Sequence, residues 1–287
     1  MNVISMVLFG HKSRYWLCLP ASILSHLELY PGFSLRLYHS LDIRSNPGFD
    51  FLGELSRRCQ RLELIEAAEP YQQTEPTLWR MRPLWDKTVD TFFSRDVDSV
   101  PCSDELRAVR VFMDHPTAAI HSIRSYKLHN TLLMAGLCGF KAPKLKFITD
   151  QVPDFGGYLN YAKKLSQNAE GAFGCDQAAL KQFFAPAIQF ILDSPVGSAT
   201  PLSDLMIRLP NQCYADVDMG QFNQSLLRIC DEVMATPWGE YRGFAGRPQG
   251  DFSAQLKQML ALDCALAGVY REIFAARPDL AAFFQAV

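Results

Sequence analysis

In VDTFFSRDVDS a short apolar run ends in two aspartates separated by a single residue, Asp96 and Asp98. If the run is a strand, its period of two points both carboxylates the same way, so one cation could lie against both. A hard divalent ion, Mn2+ or Mg2+, takes such oxygen ligands and commonly bridges to substrate phosphates. The competing reading is a polar turn, because D-x-D is frequent where carboxylates only meet solvent. A further acidic residue, Asp176, stands with Gln177 before an amphipathic pattern in GAFGCDQAALKQFFAP, where an aspartate commonly acts as an N-cap.

The chain that must position these residues has 287 of them, 48% hydrophobic, enough to bury one large core with or without an added C-terminal segment. A formal net charge of -2 leaves no global basic field to draw in nucleic acid or anionic lipid, so no nucleic acid polymer is expected as a partner. No apolar run reaches about 18 residues, and MNVISMVLFG lacks the charged n-region and cleavage site of a signal peptide. No transmembrane segment and a cytoplasmic location are therefore expected. The eight cysteines are scattered without a C-x-x-C pair, which points to buried thiols rather than a disulfide scaffold. The six histidines show no H-x-x-x-H or H-E-x-x-H spacing, so no local zinc motif is present.

Through the first half, β-rich runs alternate with helical patterns, the rhythm of β-α-β units around a largely parallel sheet. Strands are expected at residues 3–9, ending at Gly10, and at 33–39, 62–65 and 89–94, with helices on both faces. PASILSHLELY reads as a helix begun by its proline, Phe51, Leu52, Leu55, Cys59 and Leu62 keep helical spacing, and a helix over 77–85 is shortened or kinked by Pro83. SDELRAVRVFMDH then reads as a helix with a serine cap, AAIHSI as extended and NTLLMAGLCGF as helical. Residues 149–174 read as loops, 176–184 as a helix, 188–192 as a strand, 194–220 as the least regular region, and 252–276 as one long element.

The stretch PTLWRMRPLWDKTVDTFFSRDVDS resembles the segment leading into the metal motif of nucleotide-sugar glycosyltransferases with the GT-A fold. The resemblance implies a Rossmann-type, mostly parallel sheet with a C-terminal helix. Residues 1–250 would be the catalytic domain, with 1–100 its nucleotide-binding half, 101–250 its acceptor-side half, and 251–287 a C-terminal helical segment. It implies transfer of a sugar from a nucleoside diphosphate-sugar, a UDP-sugar first among them, to the hydroxyl of a carbohydrate or glycoconjugate acceptor, with Mn2+ or Mg2+ as cofactor. Arg80 becomes the donor-side arginine, Asp98 the metal ligand and Asp96 a metal or ribose contact, while Phe9 and Gly10 at the end of the first strand fall on the donor side. GAFGCDQAALKQFFAP resembles the G-x-D-Q-x-x-L element of the same fold, which implies catalytic roles for Asp176 and Gln177 beside the sugar and is similar to retaining members more than inverting ones.

AIHSIRSYKLHNTLLMAGLCGFK looks like a segment of related glycosyltransferase-like sequences in which an arginine-acid pair and a glycine-glycine step precede the catalytic helix. Arg124 and Gly136 match, Ser125 and Ala135 do not, and the implied acceptor-side residues are Arg124, His129 and Gly136, with His121 and Lys127 as further candidates. YRGFAGRPQGDF resembles a loop in which many members carry a histidine ligand; Phe244 stands there, leaving Arg242 or Arg247 for the diphosphate. Two other readings stay open. A sugar nucleotidyltransferase would use the same metal, although no glycine-rich phosphate loop follows the first strand, and Phe244, Ser125 and Ala135 prompt a non-catalytic glycosyltransferase-like binding protein.

Overall fold

A computed structural model describes residues 1–67, 71, 75–124, 133–166, 175–195, 223–235 and 250–284. Its first strand, β1 (Asn2–Leu8), is buried at every residue after Asn2. Side chains of a strand alternate between faces, so burial of all of them means that both faces of the sheet are covered here. Around it lie β2 (Phe33–His39), β3 (Leu62–Glu66), β4 (Thr91–Arg95), β5 (Ile120–Arg124), β6 (Leu137–Lys141) and β7 (Ile191–Pro195), in the order β3-β2-β1-β4-β6-β5-β7. β1 pairs in parallel with β4, Asn2 opposite Thr91 and Ser5 opposite Ser94. β2 with β3 and β5 with β7 are also parallel, while β6 runs against both β4 and β5. The architecture is mixed α/β, a mostly parallel seven-stranded sheet flanked by helices. The chain steps from β1 outward to β2 and β3 and then returns to β4 on the other side of β1, so the strand order reverses between β1 and β4.

The helices are α1 (Ser13–Leu29), α2 (Pro47–Arg58), α3 (Ser103–Asp114), α4 (Lys146–Thr149), α5 (Phe155–Ser166), α6 (Cys175–Phe183), α7 (Gln224–Ala235), α8 (Gly250–Leu260), α9 (Ala265–Ala276) and α10 (Pro278–Phe283). Several differ from the sequence reading. α1 begins at Ser13 and carries Pro20 inside it; an interior proline costs about 3 kcal/mol, but every residue of 16–27 is buried, and that burial dominates. Residues 75–85 form a 3-10 helix, as Pro76 and Pro83 withhold backbone donors. The helical reading of 130–140 is overturned by β6, in which Gly139 lies so close to Phe93 that a Cβ would meet its ring at 2.4 Å. In that segment pairing on two sides outweighs local pattern. Residues 149–174 are not all loop: Tyr158, Leu159 and Ala162 of α5 enter the core despite Gly156 and Gly157. The strand expected at 188–192 starts later, at Ile191, after a 3-10 turn over Ala185–Phe190. The long element at 252–276 is two helices, α8 and α9, followed by the short α10.

The chain divides into two compact units that interleave along the sequence: Met1–Ser5, Glu69–Arg95 and Asp104–Val217 form the first, and Met6–Ala68, Asp96–Ser103 and Asp218–Val287 the second. In the first, Phe140 stacks on Phe92 and packs against Phe184, each at a ring separation of 4.9 Å, while Trp85, Tyr158 and Phe183 extend the same core. In the second, Phe51 of α2 is enclosed by Tyr270, Phe274 and Phe284. The Tyr270 hydroxyl donates to the Pro20 carbonyl at 3.1 Å, tying α9 to α1. Cys18, Cys59, Cys102, Cys138, Cys230 and Cys264 form no disulfide. Among the described residues no helix is long and apolar enough to cross a membrane.

Candidate functional site

β4 stops at Arg95, one residue short of the aspartates. Asp96 and Asp98 therefore lie in a turn, and the strand's period of two does not set their direction. The turn is closed by Ser99, whose N–H and hydroxyl both donate to the Asp96 carbonyl, at 3.3 and 2.8 Å. Val97 and Val100 are buried, and they draw Asp98 in with them to 5% exposure, whereas Asp96 is half-buried. A buried carboxylate is costly unless something compensates its charge. The charges of both acids act on one group at the start of α1, the Tyr15 phenol. Arg14 donates to the Tyr15 hydroxyl at 2.6 Å with its guanidinium 4.5 Å above the ring centroid. Burial raises the Tyr15 phenol above its ordinary pKa, the Arg14 hydrogen bond opposes this, and the negative charges of Asp98 and Asp96 raise it further.

Phe9 and Gly10 complete this stretch of the second unit. Gly10 has φ of +68°, the left-handed region where a side chain is strained, and its carbonyl accepts from the Trp16 indole at 3.2 Å. Phe9, Gly10, Asp96 and Asp98 all follow the carboxyl ends of β1 and β4, the two strands between which the order reverses. That is where open α/β sheets bind ligands. The sequence pattern, which starts the helix at Pro20, does not single out Arg14 and Tyr15; their signal is a place just after a strand end that opens into a helix.

Within the first unit, Arg95 is fully enclosed. Its Nε donates to Glu105 at 2.8 Å, and a terminal nitrogen donates to the carbonyls of Ser94 and Cys138, at 2.8 and 3.1 Å. The arginine of the R-D-V-D segment thus has a structural set of partners. Nearby in the same unit Arg80 stands 3.8 Å from the Asp176 carboxylate, the two side chains only 6% and 14% exposed. Arg80 Nε also donates to the Thr77 carbonyl at 2.9 Å, and the Ser5 hydroxyl donates to the Arg80 carbonyl at 2.7 Å. Asp176 accepts from the Gln177 N–H at 2.9 Å, so it supports the first turn of α6 while facing the guanidinium. Burial pushes the Cys138 thiol up to about 12, with the positive charges of Arg95 and Arg80 acting the other way, which leaves it an inert thiol.

Of the remaining candidates, Gly136 lies in the turn before β6 and Arg124 ends β5. His129, Lys127 and Ser125, and Arg242, Phe244 and Arg247, lie outside the described residues. His121 is buried, stacked on Phe112 at 4.9 Å, a place in the core rather than a contact for an acceptor.

Two carboxylates are part of a coordination shell. Among the described residues no group of three or more His, Cys, Asp or Glu side chains is gathered that could hold a metal ion, so these residues do not offer a closed protein cage. Mg2+ and Mn2+ do not require one, since they are commonly bound through one or two carboxylates with water and substrate phosphates supplying the rest. Asp96 and Asp98, two carboxylates two residues apart in one turn, fit that donor set.

No family model matches the chain, and no curated protein matches it in sequence. Solved structures resemble it at low identity. The mannosyltransferase PcManGT from Pyrobaculum calidifontis, in complex with GDP-Man and Mn2+, aligns over 99% of this chain and 84% of its own at 13% identity, with a TM-score of 0.41. The glycosyltransferase GlyE of Streptococcus pneumoniae TIGR4 aligns over 96% of this chain and 63% of its own at 12% identity and a TM-score of 0.48. S. aureus TarS 1-349, in complex with UDP, aligns over 99% and 89% at 10% identity and a TM-score of 0.44. Likenesses this distant lend no weight to a function, which must rest on the chain's own residues.

Proposed function

We propose that this chain is a GT-A-type glycosyltransferase that moves a sugar from a nucleoside diphosphate-sugar, a UDP-sugar first among donors, to a hydroxyl of a carbohydrate or glycoconjugate, with Mn2+ or Mg2+ held by Asp96 and Asp98. The observation that carries it is the pair of aspartates in the turn after β4, at the reversal of strand order, with both charges bearing on Tyr15. When bound, the ion supplies neutralisation of charge on the departing diphosphate. Asp98 is the stronger candidate ligand because it is drawn into the turn's interior; half-buried Asp96 is left for the ion or the donor ribose. Phe9 and Gly10 line the same strand ends and are assigned to the donor.

In the first unit the reading gives Arg80 to the donor diphosphate and Asp176, with Gln177, to the sugar. These assignments came from two separate segments, and the 3.8 Å between Arg80 and Asp176 supports placing both at one locus, as a diphosphate and its sugar require. A fixed carboxylate there can stabilise oxocarbenium-like charge in the transition state, a chemistry common to both stereochemical outcomes, and Gln177 beside Asp176 is what favours retention. Arg247, Arg124, His129 and Gly136 remain proposals for the donor and acceptor sides. The test is titration of UDP, GDP, ADP and CDP into the protein with and without Mn2+, followed by release of nucleoside diphosphate from the corresponding sugars. Absence of metal-dependent binding to any nucleotide in that panel overturns the reading.

A further inference from the structure

The segment from Asp96 to Ser103 is held at its far end by a side chain from another helix of the same unit. The Ser103 N–H donates to Asp231 Oδ1 of α7 at 2.7 Å, and the Ser103 hydroxyl donates to Oδ2 of the same carboxylate. Between this clasp and the turn at 96–99 lie only Val100, which is buried, Pro101, whose ring fixes φ, and Cys102. Little slack separates the aspartates from the clasp. The same α7 packs along α1, the helix whose first turn carries Arg14 and Tyr15. One helix therefore packs on α1 and holds the end of the aspartate segment through one carboxylate.

We infer that Asp231 is a positioning residue for the candidate metal-binding aspartates, setting where Asp96 and Asp98 stand by clamping Ser103. The inference rests on the glycosyltransferase reading and adds a residue with no place in it. The two hydrogen bonds fix Ser103 in both position and rotation, which neither the turn nor the buried valines do, because apolar packing has no direction. A carboxylate at the start of α3 also suits that helix end, and a purely capping role would lower stability alone. The two roles separate in what they leave unchanged.

The experiment compares wild type with Asp231→Ala, Asp231→Asn and Ser103→Ala. Asparagine retains an acceptor for the Ser103 N–H and offers its amide to the hydroxyl, so it should restore most of what alanine loses. Two readouts are taken: amide hydrogen exchange over residues 96–103, and Kd for UDP with and without Mn2+. The expected result is faster exchange in that segment, with α9 unchanged, and Mn2+-dependent affinity weakened about tenfold in Asp231→Ala. Metal-free affinity should stay at the wild-type value, and Asp231→Asn should lie near wild type in both readouts. Ser103→Ala, which deletes only the hydroxyl leg, is expected to shift both readouts in the same direction by less, and it carries the test if Asp231→Ala does not fold. Equal loss of affinity with and without metal, or faster exchange with no change in Mn2+-dependent Kd, overturns the positioning role while the glycosyltransferase reading stands. If wild type itself binds no nucleotide with Mn2+, that reading falls and takes the inference with it.

Discussion

The Arg80 guanidinium faces the Asp176 carboxylate at 3.8 Å, and both side chains are withdrawn from solvent. This separation is longer than a charge-assisted hydrogen bond, so the pair is oriented without being locked. An anionic group arriving between them would compete for Arg80, and a developing cation would be met by Asp176.

Removing Arg80 should cost stability as well as donor affinity, because it takes away the guanidinium 3.8 Å from the Asp176 carboxylate. Arg80→Ala is expected to lower unfolding free energy by about 1–3 kcal/mol, whereas Arg80→Lys keeps the charge and should lose less. Urea denaturation gives the stability, and donor hydrolysis gives the function. If Arg80→Lys matches wild type in turnover, bidentate phosphate contact is not what this arginine provides.

Arg95 serves three acceptors in the first unit, Glu105 and the carbonyls of Ser94 and Cys138, with almost no exposure on either member of the ion pair. Glu105→Ala should destabilise the fold by roughly 3–5 kcal/mol, the cost of a buried charge deprived of its partner. Equilibrium unfolding checks this, and a loss below about 1 kcal/mol would mean that water reaches the arginine.

The sheet's first four strands were legible in the sequence because apolar runs there are bounded by clear breakers, such as Gly10 after β1 and Pro31-Gly32 before β2. β6 was not, since LCGFK is too short to distinguish helix from strand and owes its state to pairing with β4 and β5. Spacing singles out the aspartates, but they occupy a turn, so the strand period does not set their direction, and the charges of both act on Tyr15. Tyr15 and Asp231 were invisible because their roles depend on contacts across distant parts of the chain.

Burial holds the His121 imidazole well below its usual pKa of 6.5, with the charges of Arg95 and Lys141 acting in the same direction. The folded state keeps this ring neutral while the unfolded chain protonates it, so the stability it contributes is present above pH 6.5 and is lost as pH falls below that value. His121→Leu should flatten the decline between pH 7 and 5 at a pH-independent cost of about 1 kcal/mol for the lost stacking on Phe112. Thermal or urea unfolding across that range measures both. Parallel pH profiles for the two proteins would assign the acid sensitivity to other groups.

Asp98 and Asp96 give the decisive test, because Asp98→Asn should cost function with no matching cost in stability. Asp98 is nearly enclosed, and its charge and that of Asp96 both raise the Tyr15 phenol. Neutralising it removes a desolvation cost, and Asp98→Asn should leave the metal-free protein within about 1 kcal/mol of wild type or make it more stable. The amide is a poor ligand for a hard cation, so Mn2+-dependent affinity for nucleoside diphosphate should fall by about a hundredfold. Asp96→Asn, at a half-buried position where an amide can still hydrogen-bond a ribose hydroxyl, should lose less affinity and change stability little. Isothermal titration with and without Mn2+, alongside unfolding of both variants, separates these outcomes. Binding that is independent of metal and unchanged in Asp98→Asn would show that the aspartates are a charged turn near a tyrosine, and arginines alone would then have to hold the diphosphate.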